Sequence, residues 1–347
     1  MAEPILSVRD LRTWFHQDEG VVRAVEGVSF DLEPGRTLGI VGESGCGKSV
    51  TARSILRIVE QPGRVESGQI LLRQADGGVV DLVTLDGQGR RMRAIRGGEI
   101  GYVFQEPMSS LSAFHTIGNQ LIEAIRLHSD MSKKAARTRA AELLAMVGIP
   151  RPTARVDSYS FELSGGLRQR VMIALALAAE PRILIADEPT TALDVTTQAQ
   201  ILDLIRKLQA ERDLAVILIT HDMGVIAEMA DDVVVMYLGR DVEQGPIDTI
   251  FHEPAHPYTR ALLQSIPSVL ATPRSRLKTI EGSIPHPYNR PAGCPFNPRC
   301  ADAMAGICDQ HLPVPTALGA RHKVSCHLFG DAASPGSRQG AALERIA

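Results

Sequence analysis

A chain of 347 residues with 44% hydrophobic and 22% charged residues has the length for two or three compact units and the composition of an ordinary globular protein. Its formal net charge of −3 offers no basic face for nucleic acid. The opening MAEPILSVRDLRTWF mixes charges among apolar residues unlike a secretory signal, and no apolar run reaches the ~20 residues of a membrane-spanning helix, so the expectation is a soluble cytoplasmic protein in which disulfides are rare.

Residues 1 to about 105 read as strands and turns: ILSVRDL, VRAVEGVSFDL and TLGIVG are short, β-branched and broken by Gly and Pro. Within this stretch GESGCGKS fits G-x-x-x-x-G-K-[ST], with an apolar strand (Leu38 to Val41) before it and a helix after it. Gly42, Ser44, Gly45, Cys46, Gly47, Lys48, Ser49 and Val50 form the expected phosphate cradle. The glycines let backbone N–H groups close round phosphate oxygens, Lys48 supplies a point charge, and the Ser49 hydroxyl is a ligand for Mg²⁺. Cys46 sits at a variable position of the pattern and reads as a small packing residue without chemistry.

From about 108 to 180 the pattern turns helical. In SKKAARTRAAELLAMVG, Ala136, Ala140, Leu143, Leu144 and Val147 share one face, with Ser132 as N-cap and Gly148 just past the end. RILIAD, LAVILIT and DVVVMY are continuous apolar runs that suit strands buried on both faces of a parallel sheet. The fold class is therefore α/β, a P-loop ATPase core with a mixed or parallel sheet and an inserted helical subdomain. In RILIADEP, Asp187 ends a buried strand, where a carboxylate holds Mg²⁺, and Glu188 follows as the general base for an attacking water. The bland alternative is an N-cap cluster, which leaves two adjacent buried acids unexplained.

FELSGGLRQR places Ser164, Gly165, Gly166 and Gln169 at the start of an apolar helix, a second anion site that makes sense only if it faces another molecule. Here the sequence resembles the ATP-binding-cassette (ABC) family, in which two subunits sandwich ATP between the phosphate loop of one and the LSGGQ-type signature of the other. That resemblance implies a glutamine at Gln105 (YVFQEP) touching Mg²⁺ and water, Asp194 (TTALD) crossing the dimer interface, and His221 (LITHD) contacting the γ-phosphate. It also implies an adenine-stacking aromatic, with Phe15 the better alignment and Trp14 the fallback. The catalytic set is then Glu188, His221, Lys48 and Gln105.

Further along, FHEPAHPYTRALLQSIP, with His256, Pro257, Tyr258 and Thr259, resembles the segment after the ATPase core in dipeptide/oligopeptide importer subunits. So does N-R-P-x-G-C-x-x-N-P-R-C, whereas MSSLSAFHTIG lacks the Asn-Pro usual there. Cys294, Cys300, Cys308 and Cys326 follow C-x5-C-x7-C-x17-C, unlike paired zinc spacings. In a reducing compartment the quartet suits an iron–sulfur cluster or zinc, which would stabilise a Pro-rich tail too poor in apolar residues to fold alone. His311, His322 and His327 are spare ligands, disulfides or free thiols are the remaining readings, and the resemblance implies [4Fe–4S].

The expected organisation is an ABC ATPase core at 1–107 and 181–250, a helical signature subdomain at 108–180, a C-terminal module with the cysteine site at 251–330, and a disordered tail at 331–347. The resemblance implies an ATPase subunit at the cytoplasmic face of the cell membrane, driving import of short peptides with ATP and Mg²⁺. Its partners would be a second ATPase subunit, as a homologous heterodimer, two permease subunits and an extracytoplasmic binding protein, with no nucleic acid. Nickel, glutathione or another peptide-like solute is the alternative cargo, and an ABC ATPase working on nucleic acid or ribosomes is the alternative class.

Overall fold

The structure, a computed structural model, describes residues 3–106, 110–266 and 280–330. Among these residues the strands form two sheets. The first is antiparallel, in the order β2-β1-β4-β5: β1 (Leu6–Gln17), β2 (Gly20–Leu32), β4 (Gly63–Arg73) and β5 (Val79–Asp81). Gln17 pairs with Gly20 across a two-residue turn, so the β1–β2 hairpin follows from Asp18-Glu19-Gly20.

The second sheet carries the site. Its parallel part runs β9-β3-β8-β7-β6, from β3 (Thr37–Val41), β6 (Ile100–Val103), β7 (Ile183–Asp187), β8 (Ala215–Thr220) and β9 (Asp232–Tyr237). Every residue of β3, β7 and β8 is buried: one face packs on the first sheet and helix Lys48–Ile55, the other face of β7 and β8 on helices Gly165–Ala176 and Val195–Arg212, and the polar residues Thr37, Asp187 and Thr220 stand only at strand ends. Val41 pairs with Thr220 and Asp187 with Ile219, which brings the C-terminal ends of three strands level. β10 (Arg240–Pro246) then turns back antiparallel on β9 and receives β12 (Lys323–Val324) and β11 (Thr316–Ala317) from the far end of the described chain.

Helices Ile117–Leu127, Lys133–Met146 and Gly165–Ala176 form the helical part. Ser132 caps the second of them, accepting from the Ala135 N–H, and Gly148 ends it with φ +75°. Ala136, Ala140, Leu143 and Leu144 are buried on the face that the periodicity predicts. A helix at Arg90–Gly98 interrupts the stretch read as strands and turns. Only Met92 and Ile95 of RRMRAIRGG are buried, a stripe too narrow to register among four arginines.

The cysteine quartet is corrected here. Among the described residues no group of three or more His, Cys, Asp or Glu side chains stands close enough to hold a metal ion, so neither an iron–sulfur cluster nor zinc is supported. All five cysteines are free thiols. Cys294 and Cys308 are buried in a core formed with Tyr237, Tyr258, Leu262 and Phe296, while Cys326 lies in a separate cluster with Ala255 and Val324. Burial pushes the thiol of Cys300 up to about 11 and that of Cys326 up to about 12, so they behave as small apolar side chains. Two of the spare histidines are committed elsewhere, His322 to Glu243 at 2.8 Å and His327 to the His311 carbonyl at 2.9 Å. Residues 280–330 hold together by docking on β9, β10 and helix Pro257–Gln264, which supplies the apolar partners the segment lacks alone. The 331–347 tail and the start of the MSSLSAF departure lie outside the described residues, as does the 107/108 boundary. No helix among the described residues is long and apolar enough to cross a membrane.

Candidate active site

The loop after β3 turns on Gly42, Gly45 and Gly47, all with positive φ. A Cβ on Gly42 would stand 2.2 Å from the Met236 carbonyl oxygen, and one on Gly47 2.3 Å from that of Ala24, so backbone on both sides excludes any side chain. Gly45 faces open space instead, and Ser44 beside it is exposed. Helix Lys48–Ile55 then starts with Gly47 as N-cap and no side-chain cap, which leaves its first N–H groups aimed at the loop's interior. Lys48 is buried, donating to the carbonyls of Gly42 at 2.7 Å and Glu43 at 3.1 Å. Val50 packs half-buried against the core, and Cys46 is buried beneath the loop, where desolvation raises its thiol. Adding one methyl at Gly42→Ala costs about 1–3 kcal/mol of overpacking. The expected result is a matching loss of nucleotide affinity in a Mg-ATP titration, and unchanged affinity would show that the loop shifts freely.

Asp187 and Glu188 diverge although adjacent. Asp187 ends β7 and accepts from Ser49 Oγ at 2.9 Å and Tyr102 OH at 2.8 Å. Burial raises its carboxyl, against which these two hydrogen bonds work. Glu188 takes the left-handed conformation, φ +47°, an uncommon state for a residue with a Cβ that re-aims its side chain. Its carboxylate accepts from Gln105 Nε2 at 3.0 Å and Thr191 Oγ1 at 2.8 Å, and stands 3.3 Å from His221 Nδ1. Thus four predicted residues converge where β6, β7 and β8 end, beside the loop after β3, at the carboxyl edge where open parallel sheets bind ligands. Ser49 and Asp187 offer hard oxygen donors, and Mg²⁺ needs only one or two from protein because phosphates and water complete its shell.

The signature residues lie elsewhere. Ser164 is the N-cap of helix Gly165–Ala176 and makes no side-chain cap bond; it and Gly165 are exposed. A Cβ on Gly166 would stand 2.5 Å from Thr197 Cγ2, so this glycine lets the helix approach helix Val195–Arg212. Asp194 caps that second helix, accepting from Thr197 N and Oγ1, and those bonds lower its carboxyl. Gln169 departs from the exposed edge: it is buried, and its amide nitrogen finds no partner among the described residues. Phe15 is half-buried with its ring edge against Gly63, where a Cβ would lie 2.6 Å away. Trp14, on the other side of β1, donates to Glu26 at 2.8 Å and carries the Arg23 guanidinium over its ring.

Two polar contributors escaped the sequence reading. Tyr102 stands inside the quoted YVFQEP and Thr191 inside TTALD, but nothing in their spacing says that they touch Asp187 and Glu188.

Residues 25–191 match the family model described as ABC transporter, and residues 242–308 match that described as oligopeptide/dipeptide transporter, C-terminal region. A putative peptide import ATP-binding protein of Brucella abortus is 50% identical over 318 residues, covering 92% of this chain and 93% of that protein. The dipeptide transport ATP-binding protein of Bacillus subtilis is 48% identical over 327 residues, covering 94% and 95%. Among solved structures, a dimeric bacterial ABC transporter cassette is 28% identical with a TM-score of 0.60, covering 70% of this chain and 98% of that one. A post-hydrolysis form of that cassette holds ADP and phosphate. With its nucleotide site built from strand ends and relatives at half identity over nearly its full length, the chain belongs to the ABC transporter ATP-binding family, in the branch that carries the oligopeptide/dipeptide transporter C-terminal region.

Proposed function

We propose that this ATPase is the motor subunit of an importer for short peptides, working at the cytoplasmic face of a membrane on two permease subunits and fed by an extracytoplasmic binding protein. The names of its relatives and the match of its C-terminal region support the peptide cargo. The observation that carries the hydrolytic part is the position of Glu188, turned away from Asp187 and towards Gln105 and His221.

Glu188 accepts the proton of the attacking water, and Gln105 orients that water. Lys48 leaves the carbonyls of Gly42 and Glu43 for the phosphates, and His221 contacts the γ-phosphate. Ser49 and Asp187 would hold Mg²⁺, together with Gln105. When bound, Mg²⁺ neutralises charge between the β- and γ-phosphates. Phe15 lies against adenine. Ser164, Gly165 and Gly166 present a helix N-terminus to the ATP of a second, homologous cassette, and Asp194 lines that interface. The core spans 1–107 and 181–250, with 108–180 and 251–330 as its helical and C-terminal additions.

The test is co-reconstitution with the permeases and binding protein in proteoliposomes. ATP turnover is expected to rise with short peptides and to vanish in Lys48→Ala and in Ser164→Arg. Turnover indifferent to peptides but raised by DNA or ribosomes would move the protein to another class.

A further inference from the structure

The phosphate loop is gripped from outside by the C-terminal part of the chain, through its second residue, Glu43. Arg299 lies in the short turn Asn297–Arg299, between Cys294 and Cys300. Its side chain is 3% exposed, and it reaches Glu43 with both terminal nitrogens, at 2.7 Å and 3.0 Å. A fork on a carboxylate fixes direction as well as distance. The guanidinium is held in turn by the Tyr237 hydroxyl at 3.3 Å and by its Nε bond to the Glu281 carbonyl at 3.0 Å.

The second grip is on the backbone. The Glu43 N–H donates to the Tyr258 hydroxyl at 2.9 Å. Tyr258 is fully buried at the start of helix Pro257–Gln264, where His256 Nδ1 accepts from the Tyr258 N–H at 3.0 Å. The Ala255 and His256 N–H groups donate to opposite oxygens of Glu243, at 2.7 Å and 2.9 Å. The segment HPYT is thereby a rigid mount whose tyrosine ends on the loop.

Glu43 also faces inward. Its carbonyl accepts from Lys48 Nζ at 3.1 Å and from the Cys46 N–H at 3.2 Å. One residue therefore touches the C-terminal module on one side and the phosphate-binding lysine on the other. The far side of the loop is held by the Gly239 N–H, which donates to the Cys46 carbonyl at 2.8 Å, and Glu43 supplies the restraint on the near side. Ordering such a loop in advance strengthens phosphate binding, because the entropy is lost before the ligand arrives.

We propose that Arg299 and Tyr258 are positioning residues that latch the phosphate loop through Glu43, coupling the docking of the C-terminal module to the binding of MgATP. The inference rests on the phosphate-loop reading above. Because coupling is reciprocal, MgATP must also tighten the module on the core.

The experiment titrates MgATP onto the full chain and measures steady-state turnover, for wild type, Arg299→Gln, Glu43→Gln, the double variant, Arg299→Lys and Lys48→Ala. Arg299→Gln is expected to weaken MgATP binding about tenfold, within the roughly 5- to 150-fold span of such couplings, with kcat at saturating ATP within about twofold of wild type. The double variant should bind no worse than the weaker single variant, and Arg299→Lys should recover part of the loss. Saturating MgATP should slow proteolysis of residues 280–330 in wild type and do so less in Arg299→Gln. Unchanged affinity in Arg299→Gln, or additive losses in the double variant, overturns the latch while the loss in Lys48→Ala leaves the phosphate loop standing. Wild-type affinity in Lys48→Ala overturns the phosphate-loop reading itself. Should Arg299→Gln fail to fold, Tyr258→Phe removes only the acceptor for the Glu43 N–H and carries the same titration, with weakened binding supporting the latch and unchanged binding overturning it.

Discussion

Replacing Glu188 by Gln is expected to lower ATP turnover by about 10²–10⁴-fold, the usual contribution of a positioned general base. MgATP affinity should stay within a few fold, since the amide keeps the shape of the carboxylate and Glu188 makes no bond to the phosphate loop or to Ser49. The effect is assigned to the proton-accepting oxygen because the other contacts persist: Gln105 and Thr191 can still donate to the variant's carbonyl oxygen in the place of Oε2, which leaves the amide in the place of Oε1, facing His221. A second consequence follows from the same loss. A variant that binds ATP without splitting it should, with its partner cassette present, accumulate the closed pair of cassettes, seen as their summed mass in size-exclusion light scattering with MgATP. Turnover equal to wild type would place the base elsewhere.

The largest stability effect is expected at Glu243, far from the chemistry. Its carboxylate is buried and accepts from the N–H groups of Ala255 and His256, with His322 Nε2 on the same oxygen as Ala255. Burial opposes its ionisation, but these partners outweigh burial and hold the carboxyl below its ordinary value of 4.5. Glu243→Ala leaves them unpaired together in a dry site and should cost about 3–5 kcal/mol, the range for a broken buried pair. Glu243→Gln keeps one acceptor and should cost less. Denaturant unfolding reads both, and early proteolysis within 280–330 should report that the module leaves first, since His322 stands beside the β12 strand that pairs with β10. The pH dependence has a definite sign. A carboxyl depressed in the folded protein stabilises fully above its unfolded value, and that contribution disappears as pH falls through the folded value. Wild type should therefore lose stability below about pH 4.5 more steeply than Glu243→Gln, and parallel acid profiles would remove Glu243 from this role.

Legibility in the sequence followed the range of the interaction. GESGCGKS, the Asp187-Glu188 pair and the runs of β7 and β8 were readable because each is local: a backbone shape or a buried strand is encoded by neighbours a few residues apart. The helix at Arg90–Gly98 was missed because two apolar residues make no period. The cysteines misled for a different reason. A thiol serves equally as a ligand or as a small core side chain, and the residue type is silent about which environment surrounds it.

The sequence by itself determined the local order of strand, glycine turn and helix after β3 and the acidic pair at the end of β7, since each is encoded by neighbours a few residues apart. Only the tertiary structure decided which side chains meet across the chain. Tyr102 reaches Asp187 over 85 positions, Tyr258 reaches Glu43 over 215 and Arg299 reaches it over 256. The spacing between such partners is set by the path of everything between them, so no local pattern records it, and the grip on the phosphate loop exists only once the sheet has brought the two ends of the chain together.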